Sequence, residues 1–267
     1  MLAASPDQLS LLTGTERLLF SVGDLFARRF RRASAIWNRV VMCGLVWAAT
    51  RGRLRTHGLE HLAHLGPEDR VILVANHRSF FDFFCIGTVL YTRSGASRQV
   101  LFPVRSGFFY DSIVGAIINL LMTGYTMFPP ILREKDRLDF NRYAVERCIA
   151  ELELPGRVMG LHPEGTRNTE DDPYTFLRAQ PGVGKIVLEA KGTTVIPVFI
   201  CGLSNSLATE FAQSWWRGGP NVDIVFGPAI DLDDLRAKKS RAATQLMTSR
   251  RCMQAITETA DEHRRWA

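Results

Sequence analysis

Five consecutive apolar residues, Val71 to Ala75, give way to the polar stretch Asn76-His77-Arg78-Ser79-Phe80-Phe81-Asp82 and then to a second apolar run, Phe83 to Tyr91. A short unbroken apolar run reads as a strand buried on both faces, and the longer one after it as a buried helix. The pattern recurs. Residues 99–104, 158–161, 194–200 and 222–227 predict further strands. Residues 108–128 predict an apolar helix, buried or facing a membrane, since Asp111 and Asn119 interrupt it. Residues 127–134 have an edge-strand pattern, although Pro129 and Pro130 leave no strand at all as the alternative. Residues 135–153 predict an amphipathic helix with Leu138, Tyr143, Val145, Ile149 and Leu152 on its apolar side, stopped by Pro155-Gly156. Pro181 opens a helix to Glu189, Trp215-Trp216-Arg217 falls in a loop, and Leu235 to His263 reads as one charged amphipathic helix. The fold class is α/β: a mixed, largely buried sheet flanked by helices.

Before the first strand the pattern differs. Leu19-Phe20, Leu25-Phe26, Phe30, Ile36-Trp37 and the run Val40 to Ala49 alternate with arginines at helical spacing. No apolar run approaches the roughly 20 residues that span a bilayer. Arg28 to Arg32 also lies too far along for a cleavable leader. The segment divides from the rest at residues 1–55 and 56–267. It predicts an amphipathic helix, or a pair of helices, lying on an anionic membrane; the other reading packs these helices on the domain with the arginines in solvent.

Charge sharpens this division. The net charge is +6, and residues 1–55 hold nine Arg against Asp7, Glu16 and Asp24, which is the whole excess. Long aliphatic side chains among the arginines, and no nucleic-acid motif, make nucleic acid an inferior partner. Five scattered Cys without a CxxC suit a reducing compartment. His57, His61 and His64 share a possible helical face, but no Cys or Asp nearby completes a metal site, and no metal is expected.

The chemistry concentrates where strands end. His77 and Asp82 are five residues apart, about 140° from one another on a continuous helix. They meet only if His77 precedes the helix and Asp82 lies in its first turn. Ser79 fits as the N-cap of a capping box closed by Asp82. The pair then reads as a general base oriented by a carboxylate, or else as a cap beside a polar strand end. After the strand at 158–161, Pro163-Glu164-Gly165-Thr166-Arg167 forms a rigid turn whose Arg suits phosphate or carboxylate. Pro181-Gly182-Val183-Gly184-Lys185 lacks the first Gly and the hydroxyl of a phosphate loop, and no GxSxG occurs.

Four segments in this order resemble the glycerophospholipid acyltransferases, over roughly residues 55–230. Asn76 to Asp82 is similar to the family's His-x4-Asp block. Phe128 to Arg133 resembles the second block, Pro163 to Arg167 matches the third in full, and Val195-Ile196-Pro197-Val198 the fourth. Two departures fall at His162, where the family usually has an apolar or aromatic residue, and at Pro129-Pro130. The resemblance implies fatty acyl transfer from acyl-CoA or acyl-carrier protein to the hydroxyl of a lysophospholipid, lysophosphatidate foremost, with no cofactor. It implies His77 as general base, Asp82 as its partner, and Arg133, Glu164, Gly165, Thr166 and Arg167 around the acceptor phosphate. It also implies a peripheral or monotopic enzyme on the cytoplasmic face of a membrane.

Overall fold

The structure, a computed structural model, describes residues 2–95, 99–107, 109–132 and 134–267, with the backbone alone of Lys135. It opens on helices α1 (Pro6–Ser10), α2 (Gly14–Arg28), α3 (Arg31–Trp37) and α4 (Cys43–Ala49), with a π-helical turn, Asn38–Met42, between the last two. Capping boxes, Ser5 with Gln8 and Thr13 with Glu16, start the first two. The chain continues through β1 (Leu54–His57), β2 (Val71–Ala75), α5 (Asp82–Arg93), β3 (Gln99–Leu101), β4 (Val104–Arg105), α6 (Ile113–Thr123), β5 (Pro130–Ile131), α7 (Leu138–Leu152), β6 (Arg157–Leu161) and α8 (Pro181–Glu189). It ends with β7 (Thr194–Cys201), α9 (Leu207–Ala212), β8 (Val222–Phe226), α10 (Asp233–Arg236) and α11 (Ala242–Arg264).

Six strands form one sheet in the order β1-β8-β7-β2-β6-β3, parallel throughout except for the β7–β8 pair. The expected mixed α/β class is therefore what the chain adopts. β2 lies inside the sheet, and all five of its residues are buried. Its side chains alternate between two cores, as a strand's period requires. Val71, Leu73 and Ala75 face a core shared with Phe20, Met42, Val46, Phe84 and Phe128. Ile72 and Val74 face Cys148, Leu152, Val187 and Ile256 from α7, α8 and α11. The N-terminal helices thus bury one face against the sheet, through Leu19, Phe20, Ala27, Met42 and Val46. Gly184 lets α8 approach α11 closely: a Cβ there would lie 1.8 Å from the Gln245 carbonyl oxygen.

Several elements differ from the sequence expectation. The run at 99–104 is broken after Leu101, and Val104–Arg105 pairs instead with β5 in a separate two-stranded sheet. Pro103 has no amide to carry the first ladder onward. The helix at 231–265 is interrupted because Leu235 is fully buried and Arg236 reaches the carbonyls of Val187, Ala190 and Thr193 at the end of α8. Trp215 and Trp216 belong to a π-helical turn, Gln213–Arg217, not a loop. Leu138 is 62% exposed and faces away from the core. His61 lies in a 3-10 turn, Leu59–Leu62, and His57 on β1. All five cysteines are free. Among the described residues no helix is long and apolar enough to cross a membrane.

Candidate active site

The site begins where β2 stops. Asn76 is buried, and its side-chain amide continues the ladder that the backbone leaves: Nδ2 donates to the Ile200 carbonyl and Oδ1 accepts from the Ile200 amide, both at 2.8 Å. His77 is therefore held by a different strand connection. Its amide donates to Glu164 Oε1 at 2.7 Å, and its carbonyl accepts from the Asn168 amide at 2.7 Å. Both partners lie in the loop leaving β6, which runs parallel to β2 with Val74 opposite Leu161. The outer ends of parallel strands are where α/β sheets present reactive groups.

His77 and Asp82 meet as their spacing requires, one before the helix and one at its first residue. Asp82 Oδ2 lies 3.0 Å from His77 Nδ1 and accepts from the amides of Arg78 at 2.8 Å and Ser79 at 2.9 Å. A carboxylate only accepts, so Nδ1 carries the proton and Nε2 keeps its lone pair. The Asp82 side chain is 1% exposed and that of His77 22%, so the carboxylate is sealed in while the imidazole edge reaches solvent. The expected Ser79 capping box is half formed. Asp82 reaches back to the Ser79 amide, but α5 starts at Asp82, and the Ser79 hydroxyl accepts from the Phe81 amide and donates to the Ser204 carbonyl.

Burial is the main cause that holds His77 below the ordinary imidazole range, with the guanidinium groups of Arg167 and Arg105 adding to it. The imidazole is therefore neutral at ordinary pH. Burial pushes Asp82 up, opposed by the nearby His162 imidazole and by the Ser79 and Arg78 amides. The three donors on Oδ2 keep it a carboxylate at neutral pH.

His162, which the sequence marks only as a departure from the family, lies against the base. Its ring stacks on that of His77 with centroids 3.8 Å apart and 9° between planes. Its Nδ1 lies 3.0 Å from the Ala75 carbonyl, which fixes that nitrogen as the donor. Gly160, two residues earlier, admits Phe83 to the same wall, since a Cβ there would lie 2.4 Å from the Phe83 ring.

Glu164 is 1% exposed, and both its oxygens serve main-chain amides, those of His77 and of Leu177 at 2.8 Å. It braces the two loops that frame the site. Gly165 takes a positive φ of 68°, and its carbonyl accepts from Arg105 at 2.7 Å. Thr166 is exposed. Arg167 is exposed and donates to Asn205 Oδ1 at 2.8 Å. Arg133 lies outside the described residues. Arg105 has no local sequence signal; the small β4–β5 sheet brings it beside the β6 loop. An aromatic floor runs beneath, with Phe80 stacked on Phe109 at 5.3 Å and edge-on to Phe81 and Phe84 at 5.4 Å. His77, Asp82 and His162 offer ligand atoms within 4.8 Å of one another, but His77 Nδ1 and Asp82 Oδ2 are already each other's partners.

The exit of a parallel strand here carries an imidazole with a fixed tautomer, backed by a buried carboxylate and flanked by arginines. A family model described as Acyltransferase matches residues 53–201, from the start of β1 to the end of β7. The chain belongs to this family, that of the glycerophospholipid acyltransferases, and transfers acyl groups to lipid acceptors. No curated protein matches it.

Proposed function

We propose that the chain moves a fatty acyl group from the thioester of acyl-CoA or acyl-carrier protein to the free hydroxyl of a lysophospholipid, with lysophosphatidate as acceptor and phosphatidate as product. The 3.0 Å contact between His77 Nδ1 and Asp82 Oδ2 carries this reading, because it leaves Nε2 as the base. His77 Nε2 takes the acceptor hydroxyl proton as that oxygen attacks the thioester carbonyl. The tetrahedral intermediate collapses, the C–S bond breaks, and the departing thiolate recovers the proton from the imidazolium. Asp82 stabilises that imidazolium. No covalent enzyme intermediate is needed.

Arg167 and Arg105 supply positive charge beside the base for an acceptor phosphate, and the resemblance adds Arg133. Gly165 and Thr166 shape the rim of the same loop. Glu164 acts by bracing it. The floor of Phe80, Phe81, Phe84 and Phe109 suits an acyl chain. The enzyme works as a peripheral or monotopic protein on the cytoplasmic face of an anionic membrane. Its exposed apolar residues support this: Ile36, Val40 and Trp47 near the N-terminus and Ile113, Ile117 and Leu121 on α6.

A second acceptor class, another lysophospholipid or an amino-acid-containing lysolipid, is favoured by the turn at Phe128-Pro129-Pro130, where the sequence leaves the family pattern. A panel of lysolipids assayed with both donors separates the two. Turnover confined to lysophosphatidate supports the first, and turnover only on other acceptors replaces it. His77→Ala that stays folded and keeps full activity would reject the mechanism.

A further inference from the structure

On the β1 side of β2, four potential ligands lie on four elements: β1, β7, β8 and α11. Cys201 on β7 lies directly opposite Asp223 on β8. Opposed residues of an antiparallel pair share a sheet face. β1 pairs with β8 so that Arg55 is opposite Asp223, which places His57, two residues on, over the same face. His263 comes down onto that face from the last turn of α11.

The polar atoms that meet there are unsatisfied. His57 Nε2, His263 Nε2 and Asp223 Oδ1 are buried without a hydrogen-bond partner among the described residues. His57 Nε2 lies 3.7 Å from Asp223 Oδ1, and His263 Nε2 lies 3.7 Å from Asp223 Oδ2. These separations are too long for hydrogen bonds. Each is of the order of the edge of a zinc tetrahedron, about 3.4 Å for ligands at about 2.1 Å from the ion, and because the two rings face different Asp223 oxygens one of them turns when the ion binds. The Cys201 sulfur, one Asp223 oxygen and one His263 nitrogen all lie within 4.8 Å of one another. His263 is 3% exposed, and a buried Nε2 without a hydrogen-bond partner calls for an explanation such as an ion.

The surroundings match a metal site as well. His263 Nδ1 lies 2.9 Å from the Tyr174 hydroxyl, so the other ring nitrogen is free to ligate, with Tyr174 setting its orientation. The Trp266 ring covers His57 at 4.2 Å and His263 at 4.6 Å. A cleft of about 420 Å³, lined by Thr56, His57, Gly58, Glu262 and Trp266, opens beside His57.

We propose that Cys201, Asp223 and His263 hold one zinc ion, and that His57, whose Nε2 lies 3.7 Å from Asp223 Oδ1, turns in as the fourth ligand of a tetrahedral, structural site. Neutral imidazoles, a thiolate and a carboxylate are the donors that this ion prefers. The ion ties the C-terminal helix to β1, β7 and β8, of which β8 and the helix lie beyond the family-matched segment. It takes no part in acyl transfer.

The full chain is stripped with a chelator, dialysed with zinc, and its metal content measured by mass spectrometry, with circular dichroism as the folding control. One zinc per chain is expected, together with a rise in Tm on zinc addition. His263→Gln and Asp223→Asn should weaken binding at least tenfold, and the conservative Cys201→Ser should abolish the thiolate charge-transfer band of the cobalt-substituted protein. His77→Ala should keep its zinc. Less than one zinc per chain in the folded wild type would overturn the proposal. So would zinc retained at wild-type affinity in the folded Cys201→Ser and His263→Gln variants, or zinc lost from His77→Ala, which would put the ion at the catalytic pair.

Discussion

The rings of His77 and His162 lie parallel at 3.8 Å; the second is held neutral by burial and by its neighbour's charge, and in the proposed mechanism the first gains a proton. Two imidazolium ions do not stack at that distance, so the pair takes at most one proton. When His77 becomes a cation it faces the π-surface of a neutral ring, an interaction of about 0.5–2 kcal/mol. Removing the ring in His162→Ala should therefore lower kcat about twofold to thirtyfold. His162→Phe keeps a ring and should recover most of the loss. Steady-state kinetics of the two variants decides, and equal losses in both would move the role to the bond with Ala75.

Asp82→Asn tests the tautomer. An amide presents N–H as well as C=O to the same three donors, so the amides of Arg78 and Ser79 compete with His77 for one acceptor. His77 then has no fixed Nδ1–H partner, and its cation no counter-charge. Where a buried carboxylate plays this part, the amide variant loses about 10⁴ in kcat. A similar loss is expected here, with KM little changed. A loss below tenfold would mean that Asp82 only shapes the loop.

The acid limb of the pH profile should report Arg105. Its guanidinium, like that of Arg167, disfavours a proton on His77. Arg105→Gln removes part of that repulsion, so the pKa of His77 rises. The protonated, inactive form then persists to higher pH, and the acid limb of kcat/KM moves upward. The base form is required, so no movement in the opposite direction is compatible with the assignment. Arg105 also donates to the Gly165 carbonyl, and Arg105→Lys controls for that bond by keeping the charge.

Stability has a separate centre. Glu151 and Arg147 on α7 are fully buried; Glu151 Oε1 meets Arg147 Nε at 2.9 Å, its other oxygen pairs with Arg157 of β6, and Arg147 reaches Asp24 of α2 at 2.7 Å. Glu151→Ala leaves two guanidinium groups in the interior facing each other without their shared anion. Breaking a buried pair in this way costs about 3–5 kcal/mol. Urea unfolding should show the midpoint falling with the slope unchanged. A loss under about 1 kcal/mol would mean that water enters and replaces the carboxylate.

How much of this was readable follows the distance over which each contact acts. His77 and Asp82 are close in the chain, and one helix start brings them together, so their spacing contained the geometry. Glu164 was legible as part of a motif, but not as the residue that holds the His77 amide, because that bond crosses from β6 to β2. His162 stood out only as an unusual residue; that it stacks on His77 depends on the register of Val74 with Leu161. Arg105 needs the pairing of two two-residue strands, too short to leave any periodic signal. The break between α10 and α11 arises in the same way, since Arg236 is drawn to carbonyls about 45 residues earlier in the chain, a tertiary contact that overrides a continuous helical pattern.

The proposed membrane attachment rests on side chains that the fold leaves uncovered. Ile36, Val40 and Trp47 are 62%, 67% and 60% exposed, on the helical face opposite Ala35, Met42, Cys43 and Val46, which are buried. Trp37 joins this face to α6 through its Nε1 bond to the Leu121 carbonyl at 3.0 Å, where Ile117 is 50% exposed. Arg32, Arg39 and Arg51 lie exposed along the same segment, while Arg53 is buried against Glu210 and serves the fold. Deleting the whole segment would remove Phe20, Met42 and Val46 from the core, so point changes are the sharper test. Burying a Val or Ile side chain in the acyl boundary is worth about 1.5–3 kcal/mol. Val40→Ser with Ile117→Ser should therefore weaken sedimentation with anionic vesicles by about a hundredfold, while the circular dichroism spectrum and the activity on detergent-dispersed lysolipid stay unchanged. Raising the salt should weaken the wild type's binding further, because the arginine contribution is screened. Undiminished vesicle binding by the double variant would place the membrane contact on some other face of the protein.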